Sequence, residues 1–279
     1  MKGIRLIALC VVLLACAAAV ARAQSSLMTN IGGRQTLSLD GRWQTIIDPY
    51  ENGFYDYRYQ ESPNGYFRDA NASRQLGEMI ARDRNRASVV LWSVANETPV
   101  SEPRNKFLRG LIEHARSLDP TRLLTAANER HYSDPNTQVV DDPLGEYLDV
   151  LGCNEYAGWY DGPPEKADRL TWKVTLEKPL VISEFGGDAL YGRHGDKGQR
   201  WTEEYQRDIY EHQIAMLRRI PSLRGMSPWI LTDFRSPRRP LPRIQDFYNR
   251  KGLISNRGER KQAFYVLQNF YRELSKEGK

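Results

Sequence analysis

From residue 71 onward, stretches with apolar residues every three or four positions alternate with short, almost unbroken apolar runs. The first kind predicts helices over 73–84, with Leu76, Met79 and Ile80 on one face, over 105–117, with Phe107, Leu108, Leu111 and Ile112, and over 203–219 and 261–274. The second kind predicts buried strands over 89–94, 123–127, 147–152, 180–183 and 225–229. Strands that alternate with helices imply parallel βα units. Five strands fall short of the eight strands and roughly 250 residues that a closed βα barrel needs, so about three units are missing.

Residues 25–70 have a different pattern. Positions 37–47 alternate apolar and polar about the Asp40-Gly41 turn, an aromatic loop follows over 48–59, and Ser62-Pro63-Asn64-Gly65 makes another turn. Two strands and their loops are too few for an independent β domain. Before them, Lys2 and Arg5 precede an apolar stretch over 6–20 and the small-x-small triplet Ala21-Arg22-Ala23, which together predict an export signal cleaved before Gln24. The expected location is secreted or periplasmic. Leu13-Leu14-Ala15-Cys16 offers the alternative of a lipid anchor on Cys16, the one route by which the chain would meet a membrane. If Cys10 and Cys16 leave with the signal, Cys153 remains alone and no internal disulfide forms.

Of 279 residues, 40% are hydrophobic, an ordinary globular share. The net charge of +5 arises from 40 basic and 35 acidic residues that are interspersed, with no run of five like charges, so no nucleic-acid partner is expected. The 15 Tyr and 6 Trp suit stacking on sugar rings and equally a large core. His114, His131, His194 and His212 show no metal-ligand spacing. With no phosphate-binding glycine loop either, the chain is expected to need neither a metal nor a cofactor. Asn71-Ala72-Ser73 and Asn96-Glu97-Thr98 fit the glycosylation sequon by formula only.

Two glutamates stand out by position, because each ends an apolar run: Glu97 after the strand over 89–94 and Glu184 after the strand over 180–183. A carboxylate at the carboxyl end of a parallel strand faces the site end of an α/β barrel. Retaining glycoside hydrolysis needs two, a proton donor and an ionised nucleophile about 5 to 5.5 Å apart. Asn96, beside Glu97, supplies an amide able to bond a sugar 2-hydroxyl, and Gly186-Gly187 after Glu184 lets the backbone turn sharply beside a ligand. Taken singly, each glutamate could equally be a polar residue where a strand meets solvent.

The segments RNRASVVLWSVANE at 84–97 and KPLVISEFG at 178–186 closely resemble the acid/base and nucleophile motifs of glycoside hydrolase family 2, the β-galactosidase, β-glucuronidase and β-mannosidase family, and the 87-position spacing of the glutamates suits it. The resemblance continues through NEYAGWY at 154–160, PWILTDF at 228–234 and NRKGLIS at 249–255. It implies Glu97 as general acid/base and Glu184 as nucleophile, with Asn96 and Asn154 among the substrate-binding residues, Tyr156 orienting Glu184, and Tyr160 and Trp229 lining the sugar pocket. Asn249 and Lys251 resemble the Asn-x-Lys element that grips a uronate carboxylate in β-glucuronidases. An arginine-rich loop over 235–243 could add positive field or be a solvated surface loop.

Residues 30–68 resemble the opening of the family's sugar-binding sandwich, and near Ala70 the resemblance jumps to the helix before the fourth barrel strand. The expected organisation is therefore a signal peptide over 1–23, a β-rich sandwich remnant over 24–70, and over 71–279 an α/β, partial (β/α)8 barrel of about five C-terminal units. The resemblance implies a retaining β-glycosidase for terminal β-linked sugars, foremost β-glucuronides. A β-galactosidase and a catalytically inactive remnant are the alternatives. Unpaired edges at the first and last strands invite self-association.

Overall fold

The computed structural model describes residues 69–277. The expected export segment lies outside them, as does the β-rich piece except for Asp69 and Ala70, which begin the first helix. The elements run α1 (Asp69–Asp83), β1 (Leu91–Asn96), α2 (Glu102–Leu118), β2 (Leu123–Ala127), β3 (His131–Asp134), β4 (Thr137–Val140), a 3-10 turn (Pro143–Tyr147), and β5 (Leu151–Glu155). There follow α3 (Lys166–Arg169), β6 (Thr171–Val174), β7 (Leu180–Phe185), α4 (Glu203–Leu217), β8 (Leu223–Met226), β9 (Phe234–Arg235), β10 (Tyr248–Asn249) and α5 (Gln262–Glu277).

Five strands form one sheet in the order β1-β2-β5-β7-β8, every pair parallel. Each strand therefore lies beside its successor, as consecutive units of a βα barrel do. Within the described residues the sheet is open, with β1 and β8 at its edges. Helices cover it through two apolar clusters. Trp92, Leu124 and Ala126 pack with Leu76 and Ile80 of α1 and Leu108 and Ile112 of α2. Cys153, Leu180, Ile182 and Phe185 pack with Tyr210, Ile214 and Leu217 of α4 and Phe270 of α5. Burial of each such aliphatic side chain is worth about 1.5–3 kcal/mol. The free Cys153 is fully enclosed, and burial pushes its thiol up to about 12, so it is unreactive.

The α2 helix begins where Ser101 caps the Arg104 amide at 3.3 Å, with Pro103 in the first turn. In α4, Thr202 caps the Tyr205 amide at 3.1 Å. Two predicted strands are displaced. The apolar run over 147–152 enters its strand only at Leu151, because Asp142 caps the Leu144 amide at 3.0 Å and Pro143 starts a 3-10 turn instead. Leu148, at the end of that turn, is apolar because it packs beneath α2. The last strand, expected over 225–229, ends at Met226, yet the amides of Ser227 and Trp229 still bond Ile182 and Phe185 carbonyls at 2.8 and 2.9 Å.

Two small sheets were absent from the sequence reading: β3-β4-β6, and the pair β9-β10. Their strands are two to four residues long, too short to carry a period. Among the described residues no helix is long and apolar enough to cross a membrane.

Candidate active site

The carboxyl ends of the parallel strands open on one end of the sheet, and the candidate residues lie there because of their place in the strands. Asn96 ends β1, and Glu97 follows with a positive φ of 46° while its amide bonds the Ala127 carbonyl at 2.9 Å. A non-glycine residue in that conformation carries strain of about 1–3 kcal/mol. Downstream, Arg104 holds the turn: its Nε donates to Thr98 Oγ1 at 2.9 Å while its guanidinium grips the buried Asp142 carboxylate through two bonds of 2.7 Å.

On β5, Asn154 Nδ2 donates to Asn96 Oδ1 at 3.0 Å, and Asn154 Oδ1 accepts from Ser183 Oγ at 2.7 Å. This buried amide thus ties β1 to β7. One residue beyond β5, Tyr156 donates its hydroxyl to Glu184 Oε2 at 2.6 Å. Glu184 sits in β7 and is half-buried, and the following Gly186 has φ of +125°. A Cβ on Gly186 would lie 2.4 Å from the Tyr210 hydroxyl, so only glycine permits this turn.

Burial raises the Glu184 pKa above its ordinary value; the Tyr156 bond and the Lys251 charge oppose the rise, and the Glu97 charge adds to it. The two glutamates therefore share one electrostatic environment. Their surroundings differ. Glu97 is exposed, following the strand at the edge of the described sheet, and Glu184 is the more protected of the two.

Lys251 is only 1% exposed. Its Nζ donates to Tyr160 Oη at 2.8 Å, pairs with Asp188 Oδ2 at 2.8 Å, and lies 4.8–5.8 Å from the ring centres of Tyr156, Trp159 and Tyr160. Burial raises the Tyr160 pKa, but bonds from Lys251 and Arg239 prevail and leave it below the ordinary phenol value. Asn249 Oδ1 accepts the Lys251 amide at 3.0 Å, so this side chain shapes the turn that presents the ammonium. Trp229 packs edge-on against Phe234 with centroids 6.1 Å apart, and it is held beside the lysine turn by the Ile230 amide bonding the Lys251 carbonyl at 3.2 Å.

Further charges, not marked by any local sequence pattern of their own, fix this turn. Asp188 Oδ1 accepts the Arg250 amide at 2.9 Å, and Asp233 Oδ1 accepts the Gly252 amide at 2.9 Å. Lys261, wholly buried, bonds Asp233 Oδ1 at 2.8 Å and the carbonyls of Ala189 and Arg250 at 2.6 and 2.8 Å. Asp188 directly follows Gly186-Gly187, and Asp233 lies within the motif at 228–234, so place in or beside the motifs was the available signal. Of the basic loop, Arg239 does reach the site, at 3.3 Å from Tyr160 Oη.

The family model for the TIM barrel domain of glycosyl hydrolases family 2 matches residues 46–275. The chain belongs to this family. The β-glucuronidase of Rattus norvegicus is 34% identical over 214 residues, which are 72% of this chain and 31% of that protein, and the β-glucuronidase of Canis lupus familiaris is 32% identical over 213. This family member therefore spans about a third of the length of those relatives. Among solved structures, a β-D-glucuronidase of Dictyoglomus thermophilum superposes with TM-score 0.60 at 28% identity over 73% of this chain and 35% of its own. A family 2 β-galacturonidase of Eisenbergiella tayi gives 0.63 at 25% identity, over 76% and 38%. The five parallel strands with their helices are thus part of a family 2 barrel.

Proposed function

We propose that the protein acts on terminal β-glucuronides as a retaining glycosidase. One observation carries this reading: the Glu184 carboxylate, bonded by Tyr156, feels both the Glu97 charge and the Lys251 ammonium. In the first step Glu97 gives its proton to the glycosidic oxygen as Glu184 bonds the anomeric carbon, so that the glycosidic C–O bond breaks and the aglycone leaves as an alcohol or phenol. In the second, Glu97 takes a proton from water, which breaks the glycosyl ester and releases the sugar. Asn96 would bond the sugar 2-hydroxyl, a contact that strengthens in the transition state, and Asn154, which donates to Asn96, would complete that side of the substrate site. Lys251, Asn249 and Tyr160 would receive the sugar carboxylate, and Trp229 would flank the ring. The relatives named as glucuronidases and a galacturonidase support an acidic sugar.

The exposure of Glu97 on an edge strand favours a second reading, in which the chain binds uronides without turning them over. Purified protein incubated with aryl β-glucuronide and aryl β-galactoside, beside Glu184→Gln, decides between them. Hydrolysis lost in the variant supports the enzyme, and equal background rates in both proteins defeat it. Residues 1–23 are read as an export signal. An intact mass beginning at Gln24 is expected, whereas a lipid-modified Cys16 would assign the chain to a membrane surface instead.

A further inference from the structure

We propose that Glu165, Asp208 and His212 form a binding site for a divalent metal ion of the zinc class, where α3 meets α4. Asp208 and His212 lie one turn apart on α4 and so share a face. Glu165, the residue before α3, is brought against them: one ligand atom from each of the three falls within 4.8 Å of the others. The sequence reading placed His212 among histidines without ligand spacing, because its third partner lies more than 40 positions away.

The histidine is oriented for coordination. His212 Nδ1 lies 2.7 Å from Asp168 Oδ1, and a carboxylate can only accept, so Nδ1 carries the hydrogen. In the neutral ring the Nε2 lone pair then faces Asp208 Oδ2, 3.8 Å away. A carboxylate that holds the far nitrogen of a histidine is the usual outer partner of a metal-ligating imidazole. Asp208 supplies an independent sign. It is 6% exposed, and its Oδ2 accepts no hydrogen bond, which for a buried carboxylate oxygen is costly unless a cation completes it.

A cation already visits the place. Lys197 Nζ lies 3.8 Å from both Glu165 Oε1 and Asp208 Oδ1, on a side chain 62% exposed. Against the carboxylates of Glu165, Asp168 and Asp208, this single distant ammonium leaves negative charge that a divalent ion would balance. One imidazole with carboxylate oxygens suits zinc better than calcium or magnesium, which take oxygen sets. Lys197 is then a competitor that the ion displaces, and the bound ion would tie α3 to α4.

Full-length protein freed of metal by a chelator is titrated with zinc chloride by calorimetry, and its melting curve is followed with and without zinc. One zinc per chain is expected, with a raised melting temperature. Glu165→Gln, an exposed position, is expected to melt normally without zinc yet bind it about tenfold or more weaker, as is His212→Gln. Lys197→Ala is expected to bind zinc more tightly, which a merely adventitious surface site would not do. Equal zinc affinity in Glu165→Gln and the parent, no gain in Lys197→Ala, or calcium binding as tight as zinc would overturn the proposal. So would no binding at all.

Discussion

Tyr156 donates its hydroxyl to Glu184 Oε2 at 2.6 Å, across the gap between β5 and β7. The bond favours the ionised carboxylate and opposes the burial that raises the Glu184 pKa. In Tyr156→Phe the Glu184 titration is expected to move further up, because burial is then no longer opposed by the Tyr156 bond. A folded pKa raised further means that stability is kept in acid and lost as pH rises through it, so the variant should be weakened more at pH 8 than at pH 4. A carboxyl NMR titration together with melts at the two pH values checks this. An unchanged titration would mean that the bond does not control the carboxylate.

Three strands of the main sheet were legible at their observed places because each is a nearly unbroken apolar run, as at Leu91–Asn96 and Leu180–Phe185, whereas β5 and β8 were displaced by the turns beside them. Helix faces were legible too, since Leu76 and Ile80 or Leu108 and Ile112 have no place but the core. What escaped was tertiary. Nothing local marks Lys261 as a buried cation or pairs Asp188 with Lys251, because such partners lie far apart in the chain and meet only once the strands are stacked. The exposure of Glu97 was not legible either, because it is set by the place of β1 at the edge of the described sheet, not by its neighbours in sequence.

Asp233 joins Lys261 and Arg250 in a buried charge cluster behind the Lys251 turn. Burial raises the Asp233 pKa and lowers that of Lys261, each against the pull of its partner. Removing one member leaves the other charged and unpaired, so Asp233→Ala is expected to cost about 3–5 kcal/mol. For a domain of this size that is a fall in melting temperature of roughly 10 °C. Lys261→Met combined with Asp233→Leu should recover part of the loss. Equal melting of the single variant and the parent would show that the cluster is not holding the turn.

His194 and Glu204 form an ion pair of 2.9 Å that fastens the loop before α4, and Glu204 also accepts from Gln262 Nε2 at 2.6 Å. The Glu204 bond raises the His194 pKa; burial works against it, but bonds from His194, Gln262 and the backbone hold Glu204 down at about 2. The raised histidine loses its contribution as pH rises through its folded pKa, and the depressed glutamate loses its own as pH falls towards 2. The pair therefore acts between about pH 4.5 and 6.5. His194→Ala should melt lower than the parent at pH 5.5 and match it at pH 9; an equal deficit at both would exclude the ionic contribution.

Among the described residues β1 and β8 are the edges of the main sheet, and Leu231 beyond β8 is 57% exposed beside a groove of about 500 Å³ lined by Pro228, Leu253, Phe264 and Leu267. Exposed strand edges next to apolar surface associate. Sedimentation of the purified chain is expected to show mass rising with concentration, and Leu231→Lys should reduce it. A single monomer species at all concentrations would argue that these edges are covered.

Lys251 is buried, and its ammonium joins Asp188, Tyr160 and three aromatic rings. A simple Lys251→Ala change confounds two effects, because it removes the proposed carboxylate anchor and also strands the Asp188 charge. The pair Lys251→Met with Asp188→Asn separates them. Without a stranded charge the fold should keep most of its melting temperature, while glucuronate affinity should fall by about tenfold or more and galactose affinity should change little, since only the acidic sugar loses a charge-assisted bond. Sugar binding measured by ligand-observed NMR at fixed salt reads both. Parallel losses for the two sugars would mean that the lysine supports the site without reading the carboxylate, and an unchanged preference would assign that reading to Arg239, which already reaches the Tyr160 hydroxyl.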